Sequence, residues 1–181
     1  TAQPNKVPAE FTAQAPAMTV TKTITAVSPT GGLTLRVGGT GFSGVTKPGD
    51  AGVYVGVAEA GGMPDVSSPG GMDAFAGAAY VPASQIVNGA FTTTLTAPTA
   101  KLDSAKSYAI YTWQAHAHSN VTQDTETALP INFAQLQDAP QVDATIVAQN
   151  SVDGVEVDVT GSDFVAVTNP GDAGVYVGIA P

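Results

Sequence analysis

The amino-acid sequence predicts an all-β fold, a two-layer antiparallel sandwich repeated in tandem, with the second copy truncated. Two segments of nine identical residues, 48–56 and 170–178, lie 122 positions apart, and at this offset residues 20–58 and 142–180 are identical at 20 of 39 positions without a gap. Short runs of alternating apolar and polar residues are separated by turn formers, among them Gly 20 and Pro 13. A fixed period of this kind indicates a modular or array protein rather than a one-site enzyme.

The composition excludes several classes of function. Hydrophobic residues make up 43% of the 181 residues, enough for one domain with a sizeable core. The net charge is −9, and the six Lys and Arg residues are scattered, so no basic surface is available for nucleic acid or for anionic lipid. No apolar stretch reaches the roughly 18 residues that a membrane-spanning helix needs. The sequence therefore predicts neither nucleic-acid binding nor membrane insertion.

Seven strands are predicted within one period. The first alternates apolar and Thr residues and is followed by a Pro-Thr-Gly-Gly turn, and an Asn-Gly pair at residues 88–89 marks a later hairpin turn. No stretch has the period of an amphipathic helix. The predicted strands are residues 19–27, 33–37, 52–58, 78–82, 91–97, 107–115 and 127–133.

The two copies test this interpretation internally. Apolar character is kept at alternate positions of the second strand, while the chemistry of the intervening positions is not kept. A strand with one packed face and one wet face requires this pattern. We also predict that Phe42 and Phe164 are equivalent core residues at the end of that strand. The preserved apolar positions are Leu33, Leu35 and Val37 in the first copy and Val155, Val157 and Val159 in the second.

The repeat predicts a domain organisation. Residues 7–11 fall on residues 129–133 at the same offset, which suggests a lead-in or the tail of a preceding repeat. A partial copy of about 40 residues cannot bury an independent core. It is expected to belong to a longer array, to result from proteolysis, or to be completed by another copy of the same chain. The predicted units are a lead-in over 1–17, a complete domain over 18–134, a linker over 135–140 and the N-terminal part of a second domain over 141–181.

Residues 102–111 resemble the corner between strands E and F of immunoglobulin-like domains. In those domains a Tyr near the start of strand F bonds back to the upstream backbone, and Tyr108 occupies that position here. Two features depart from the family pattern: the chain has no Cys, and Trp113 lies on the F-like strand rather than on strand C. The resemblance implies a seven-stranded immunoglobulin-like sandwich, not a true immunoglobulin domain.

Residues 111–120, followed by Gln-Asp-Thr at 123–125, are similar to a stretch in secreted or wall-attached proteins of high-GC Gram-positive bacteria. Some of those proteins also carry haem-uptake domains, but no haem-binding residue is carried over to this chain. The resemblance implies a non-enzymatic module at the cell surface, acting as a structural array, a stalk or an adhesin, with neighbouring immunoglobulin-like repeats as partners. An accessory domain of a larger surface enzyme is the alternative.

His116 and His118 are the sharpest candidates for a binding site. On a strand, residues i and i+2 point the same way, roughly 7 Å apart, so both imidazoles could ligate one zinc ion or serve haem as axial ligands. Asp124 or Glu126 could fold back as a further ligand. The favoured interpretation is two polar residues at a strand end, with no cofactor; a metal- or haem-binding module is the alternative.

The tetrapeptide Gly49-Asp50-Ala51-Gly52 belongs to the nine-residue match. It precedes a predicted strand rather than a helix, so no helix N-terminus is available to hold a phosphate. We interpret it as a tight loop whose glycines adopt special backbone angles. No Gly-x-Ser-x-Gly motif, nucleophilic Cys or Ser/His/Asp pattern is present, and the sequence predicts no catalytic residue.

Overall fold

The computed structural model describes residues 17–116, 118, 121–164, 171 and 174–180, and within them the chain is all-β. The predicted lead-in lies outside these residues apart from residue 17. The only helical elements in the described part are 3₁₀ turns of three or four residues. The strands are β1 Thr19–Ser28, β2 Gly32–Thr40, β3 Val45–Lys47, β4 Asp50–Ala51, β5 Val53–Glu59, β6 Phe75–Val81, β7 Phe91–Ala97, β8 Tyr108–Gln114, β9 Thr125–Leu129, β10 Gln141–Asn150 and β11 Gly154–Ser162.

Two antiparallel sheets face each other across one apolar core. One sheet has the order β1-β2-β7 and the other the order β6-β5-β8-β9. Both sheets contribute side chains to a single buried cluster, so the predicted all-β antiparallel class is confirmed. We call these seven strands with their connections the two-sheet unit. Its central core residues are Leu33, Leu35 and Val37 from β2, Leu95 from β7, Val53, Val55 and Val57 from β5, and Ile110 from β8.

Six of the seven predicted strands differ in their bounds from the observed strands, and the differences at β6 and β9 have a clear physical reason. Strand β6 begins at Phe75, earlier than predicted, because that ring is buried on the sheet. Strand β9 ends at Leu129, since Pro130 has no N–H to donate to the ladder. The connection between β2 and β5, where the sequence predicts no strand, contains the short antiparallel pair β3–β4. After β9 a 3₁₀ turn spans Phe133–Leu136, with the side-chain oxygen of Asn132 accepting from the N–H of Ala134 at 3.2 Å.

The β10–β11 hairpin repeats the register of the β1–β2 hairpin at the 122-residue offset. Thr19 pairs with Thr40, and Gln141 pairs with Ser162. Each hairpin shifts register once at the same place, between positions 24 and 26 in the first and 146 and 148 in the second. The turns also match, with φ of +73° at Gly32 and +84° at Gly154. Equivalent sequence positions therefore adopt equivalent local structure.

The two hairpins differ in what covers them. Phe42 is 3% exposed in the core of the two-sheet unit, which confirms its prediction as a core residue. Phe164 is 41% exposed, so the corresponding prediction is wrong for the described structure. The reason is tertiary: within the described residues no second sheet packs over β10–β11, whose sheet has two strands only.

Candidate functional site

Strand β8 is buried along its whole length and therefore presents apolar side chains on both faces of its sheet. Tyr108 and Ile110 join the core between the sheets. Tyr111 and Trp113 lie on the opposite face, in a second buried cluster. We did not predict this second cluster, although the apolar residues at both odd and even positions of β8 were a signal for a strand buried on both sides.

The second cluster is a row of aromatic rings on the outer face of the four-stranded sheet, which we call the aromatic face. Ring centroids lie 5.3 Å apart for Tyr80 and Tyr54, 5.4 Å for Tyr54 and Trp113, and 4.6 Å for Trp113 and Phe75. The two latter pairs are stacked, and Phe75 meets Tyr111 edge-on at 6.3 Å. Tyr80, at one end of this row, is 42% exposed.

The loop between β5 and β6 covers the other end of the aromatic face. Met63 and Val66 pack against the rings. Asp65 accepts hydrogen bonds from the N–H of Ser67 at 3.1 Å and from its hydroxyl at 2.6 Å, and these bonds lower the pKa of the Asp65 carboxyl. Met63 therefore belongs to a packed cover over the rings.

The hydroxyl of Tyr111 ties the same loop to the sheet. It donates to the carbonyl of Glu59 at 2.9 Å and accepts from the N–H of Gly62 at 3.3 Å. Burial raises the pKa of this hydroxyl. Beside it, Glu126 accepts from the N–H of Gly61 at 2.9 Å, so this carboxylate serves the loop rather than a histidine ligand set.

Gly56, which belongs to the first of the two identical nine-residue segments, lies directly beneath the rings of the aromatic face. A Cβ at Gly56 would lie 2.5 Å from Cδ1 of Phe75 and 3.2 Å from Trp113, whereas a Cβ at Gly178 would meet nothing within 4 Å. We expect Gly56→Ala to lower the free energy of unfolding by about 1–3 kcal/mol, because the stacked rings must move. Gly178→Ala is the matched control, with an expected change within about 0.5 kcal/mol. Urea denaturation of both variants measures the difference, and equal losses would contradict this account.

The glycines at positions 49 and 52 have φ of +89° and +96°, which confirms the interpretation of this segment as a tight loop. A Cβ at Gly52 would lie 2.4 Å from the carbonyl oxygen of Val81. Asp50 is buried and pairs in the β3–β4 ladder. The corresponding glycines of the second copy, Gly171 and Gly174, also have positive φ.

Tyr108 makes the hydrogen bond that the immunoglobulin-like resemblance implies. Its hydroxyl accepts from the N–H of Asp103 at 2.8 Å, and the residue is 7% exposed. The ring also lies 6.2 Å from that of Phe133, in the segment that follows β9. Tyr108 thus fixes the connection between β7 and β8 at the end of the unit where the chain leaves β9.

We expect Tyr108→Phe to lower the free energy of unfolding by about 0.5–1.5 kcal/mol, since the ring stays and one hydrogen bond is lost. The amide of Asp103 should exchange faster with solvent in the variant, because its acceptor is gone. Hydrogen exchange by NMR, together with urea denaturation, provides the two measurements. Unchanged protection of Asp103 would show that the bond does not persist in solution.

His116 and His118 do not share a strand face, and this part of the sequence prediction is wrong. Strand β8 ends at Gln114, and the two histidines have φ of +68° and +44°. These left-handed values turn the chain, so the alternation of an extended strand does not apply. The ring of His116 lies 5.5 Å from that of Tyr80. His118 points elsewhere, with Nε2 2.9 Å from Oδ1 and 3.0 Å from Oδ2 of Asp124.

The His118–Asp124 pair closes the connection between β8 and β9. Both side chains are largely buried, with 15% and 22% exposed. Among the residues that the structure describes, no group of three or more His, Cys, Asp and Glu side chains could hold a metal ion. Of the two predicted further ligands, Asp124 is thus the one that contacts a histidine. The arrangement is a hydrogen-bonded pair within the connection between β8 and β9. No described contact favours zinc or haem over this role.

No family model matches the chain, and no curated protein and no solved structure matches it either. In the described part of the chain, no helix has the length and apolar character required to cross a bilayer.

Proposed function

We propose that this chain is an immunoglobulin-like repeat module of a secreted or cell-wall-associated protein, acting as a structural array, stalk or adhesin without catalytic activity. The observation that carries the proposal is the repeat. At an offset of 122 residues, 20 of 39 positions are identical, and the β1–β2 and β10–β11 hairpins that this offset relates have the same register. Repetition of one structural unit extends a chain and multiplies weak contacts, whereas an enzyme needs one site.

The sheet order supports the immunoglobulin-like assignment. If β1, β2, β5, β7, β8 and β9 are strands A, B, C, E, F and G, the sheets contain A-B-E and C-F-G, as in that family. The remaining strand, β6, pairs with β5 rather than with β7, which places it beside C. The bond from Asp103 to Tyr108 corresponds to the tyrosine corner of these domains.

The surface chemistry fits a role in an exposed array. A net charge of −9 makes neighbouring units repel one another. The few basic residues are scattered and form no binding site for a polyanion. Two connections are tied by local bonds: the Gly- and Pro-containing one between β5 and β6 at Asp65, and the one between β8 and β9 at Asp124. Such a unit suits a spacer that holds its shape between partners.

A chimera tests the repeat. Ala180 is equivalent to Ala58, since 58 + 122 = 180, so residues 59–136 are appended directly after Ala180. The added segment should complete a second two-sheet unit and protect the amides of Val155, Val157 and Val159 from exchange, as those of β2 are protected. The control carries Leu95→Asp in the appended segment only, which places a charge in the new core. Unprotected β11 amides in the chimera, equal to those of the control, would refute the repeat architecture.

Location and role are tested in the source cells. Antibodies and added protease should reach the natural protein on intact cells, and a protein found only inside them would contradict the surface assignment. Beads coated with the chain distinguish an adhesin, which attaches to other cells, from a stalk, which does not. The sequence encoded next to this segment distinguishes both from an accessory domain of a surface enzyme.

A further inference from the structure

The outer face of the three-stranded sheet β1-β2-β7 carries threonine hydroxyls. Alternate residues of these strands enter the core, and the residues between them point to solvent. Thr34 and Thr96 lie opposite each other on this face, with their hydroxyl oxygens 3.2 Å apart. The three strands contain no Asp or Glu residue. We call this surface the hydroxyl face, and its central threonines are Thr21, Thr23, Thr34, Thr92, Thr94 and Thr96.

The fold does not require the chemistry of the hydroxyl face. The β10–β11 hairpin keeps the register of the β1–β2 hairpin. At the offset of 122 residues, however, Asp158 stands in place of Arg36, and Thr160 stands in place of a glycine, Gly38. Residues on this face can therefore change without loss of the local structure, which leaves them free to serve binding.

Gly38 opens a cavity in the hydroxyl face. It lies between Thr21 on β1 and Thr92 on β7, which are its partners in the two ladders. A Cβ at Gly38 would be 2.8 Å from the hydroxyl oxygen of Thr21, so a larger residue would fill this space. The cavity has a volume of about 210 Å³, equal to about seven water molecules. Its lining residues are Thr21, Thr23, Arg36, Gly38 and Thr92.

Arg36 supplies the positive charge of this cavity. It is the one Arg of the sequence, is exposed, and lies opposite Thr23 on β1 and Thr94 on β7. With the residues that the structure describes, Arg36 makes no ion pair and no side-chain hydrogen bond. A guanidinium has five N–H donors and binds a carboxylate through two parallel hydrogen bonds. The cavity therefore combines an anion-binding group with hydroxyls on three strands.

We propose that the cavity at Gly38 binds the carboxylate of an acidic sugar. Arg36 pairs with the carboxylate, and the hydroxyls of Thr21, Thr23 and Thr92 bond to the ring substituents, because a Thr hydroxyl both donates and accepts as a sugar hydroxyl does. One positive charge suits one carboxylate, whereas a nucleic acid requires several. Uronic and sialic acids share this chemistry. The proposal names a ligand class for the adhesin role of the proposed function and rests on that role.

The test is an NMR titration of the full chain with the methyl glycosides of glucuronic acid and N-acetylneuraminic acid. At least one of them should shift the amides of Thr21, Gly38 and Thr92, with a dissociation constant on the order of 1 mM. The methyl esters of the same sugars should bind about tenfold or more weakly, because they lose the charge-assisted pair with Arg36. Sodium acetate and sodium sulfate measure the affinity for the anion alone.

Three variants locate the site. Arg36→Gln should weaken binding of the sugar acid by about tenfold or more, with little effect on the ester. Gly38→Val should abolish binding of both, because its side chain fills the cavity. Thr92→Val removes one hydroxyl at almost constant shape and should also weaken binding. Lys47→Gln is the matched control, since it removes a positive charge from an exposed residue of β3 and should leave binding unchanged.

The outcomes that contradict the proposal are distinct. The proposal is overturned if neither sugar acid gives a saturable shift, or if Arg36→Gln binds as the parent does. It is also overturned if acetate or sulfate binds as tightly as the sugar acid. Attachment of coated beads to cells without binding of a sugar acid refutes this ligand class and leaves the adhesin role standing. Binding of a sugar acid without attachment of the beads supports the site and contradicts the adhesin role.

Discussion

Replacing Trp113 with alanine is expected to lower the free energy of unfolding of the two-sheet unit by about 3–5 kcal/mol. Trp113 is 2% exposed and stacks between Tyr54 and Phe75 on the outer face of the four-stranded sheet. Its removal leaves a cavity between the rings of Tyr54 and Phe75. The loop residues Met63 and Val66 pack against the same cluster, so the neighbouring side chains can fill this cavity only in part. Urea denaturation followed by near-ultraviolet circular dichroism measures the loss.

Two controls separate packing from a general effect of aromatic loss. Tyr176→Ala removes a fully exposed ring in the copy of the nine-residue segment and should change stability by less than about 0.5 kcal/mol. Trp113→Phe keeps part of the stack and should fall between the parent and the alanine variant. A loss below about 1.5 kcal/mol for Trp113→Ala would indicate that the aromatic face is not a packed core in solution.

The second large effect is expected at Phe42, where alanine should cost about 3–5 kcal/mol. Phe42 is 3% exposed, and its ring meets that of Phe91 edge-on, with centroids 5.1 Å apart. Both rings lie over Gly39, so their contacts depend on a position without a side chain. Thermal and urea denaturation of Phe42→Ala provide the measurement.

The matched control is Phe164→Ala, the same substitution at the equivalent position of the second copy. Because Phe164 is 41% exposed, the unfolding of the two-sheet unit should change by less than about 0.5 kcal/mol. A loss as large as that of Phe42→Ala would contradict the exposure of Phe164 on the β10–β11 hairpin. It would mean that a partner or a second copy covers this residue in solution.

Much of the fold could be predicted from local patterns. Strand β7 has the predicted bounds, and the glycines at 49 and 52 adopt the positive φ expected of a tight loop. The bond from Asp103 to Tyr108 spans five residues, so a short motif was enough to predict it. Each of these features depends on a few neighbouring residues whose conformation is set by sterics and turn chemistry.

The features that sequence reasoning missed depend on distant segments. The aromatic face joins residues of β5, β6 and β8 with a loop, and no single window of sequence contains that combination. The histidines failed as a strand pair because β8 ends before them and both adopt positive φ. Asp124, named only as a possible ligand, instead clamps His118 across the loop.

The nine-residue match separates what the sequence by itself determined from what the tertiary structure decided. Sequence determined the local geometry, since Gly52 and Gly174 both have positive φ and the two hairpins share one register. Tertiary structure decided burial: a Cβ at Gly56 would strike Phe75, and one at Gly178 would meet nothing. The physical reason is that turn and strand conformation depend on sterics between neighbouring residues, whereas burial depends on which distant segments are present to cover a face.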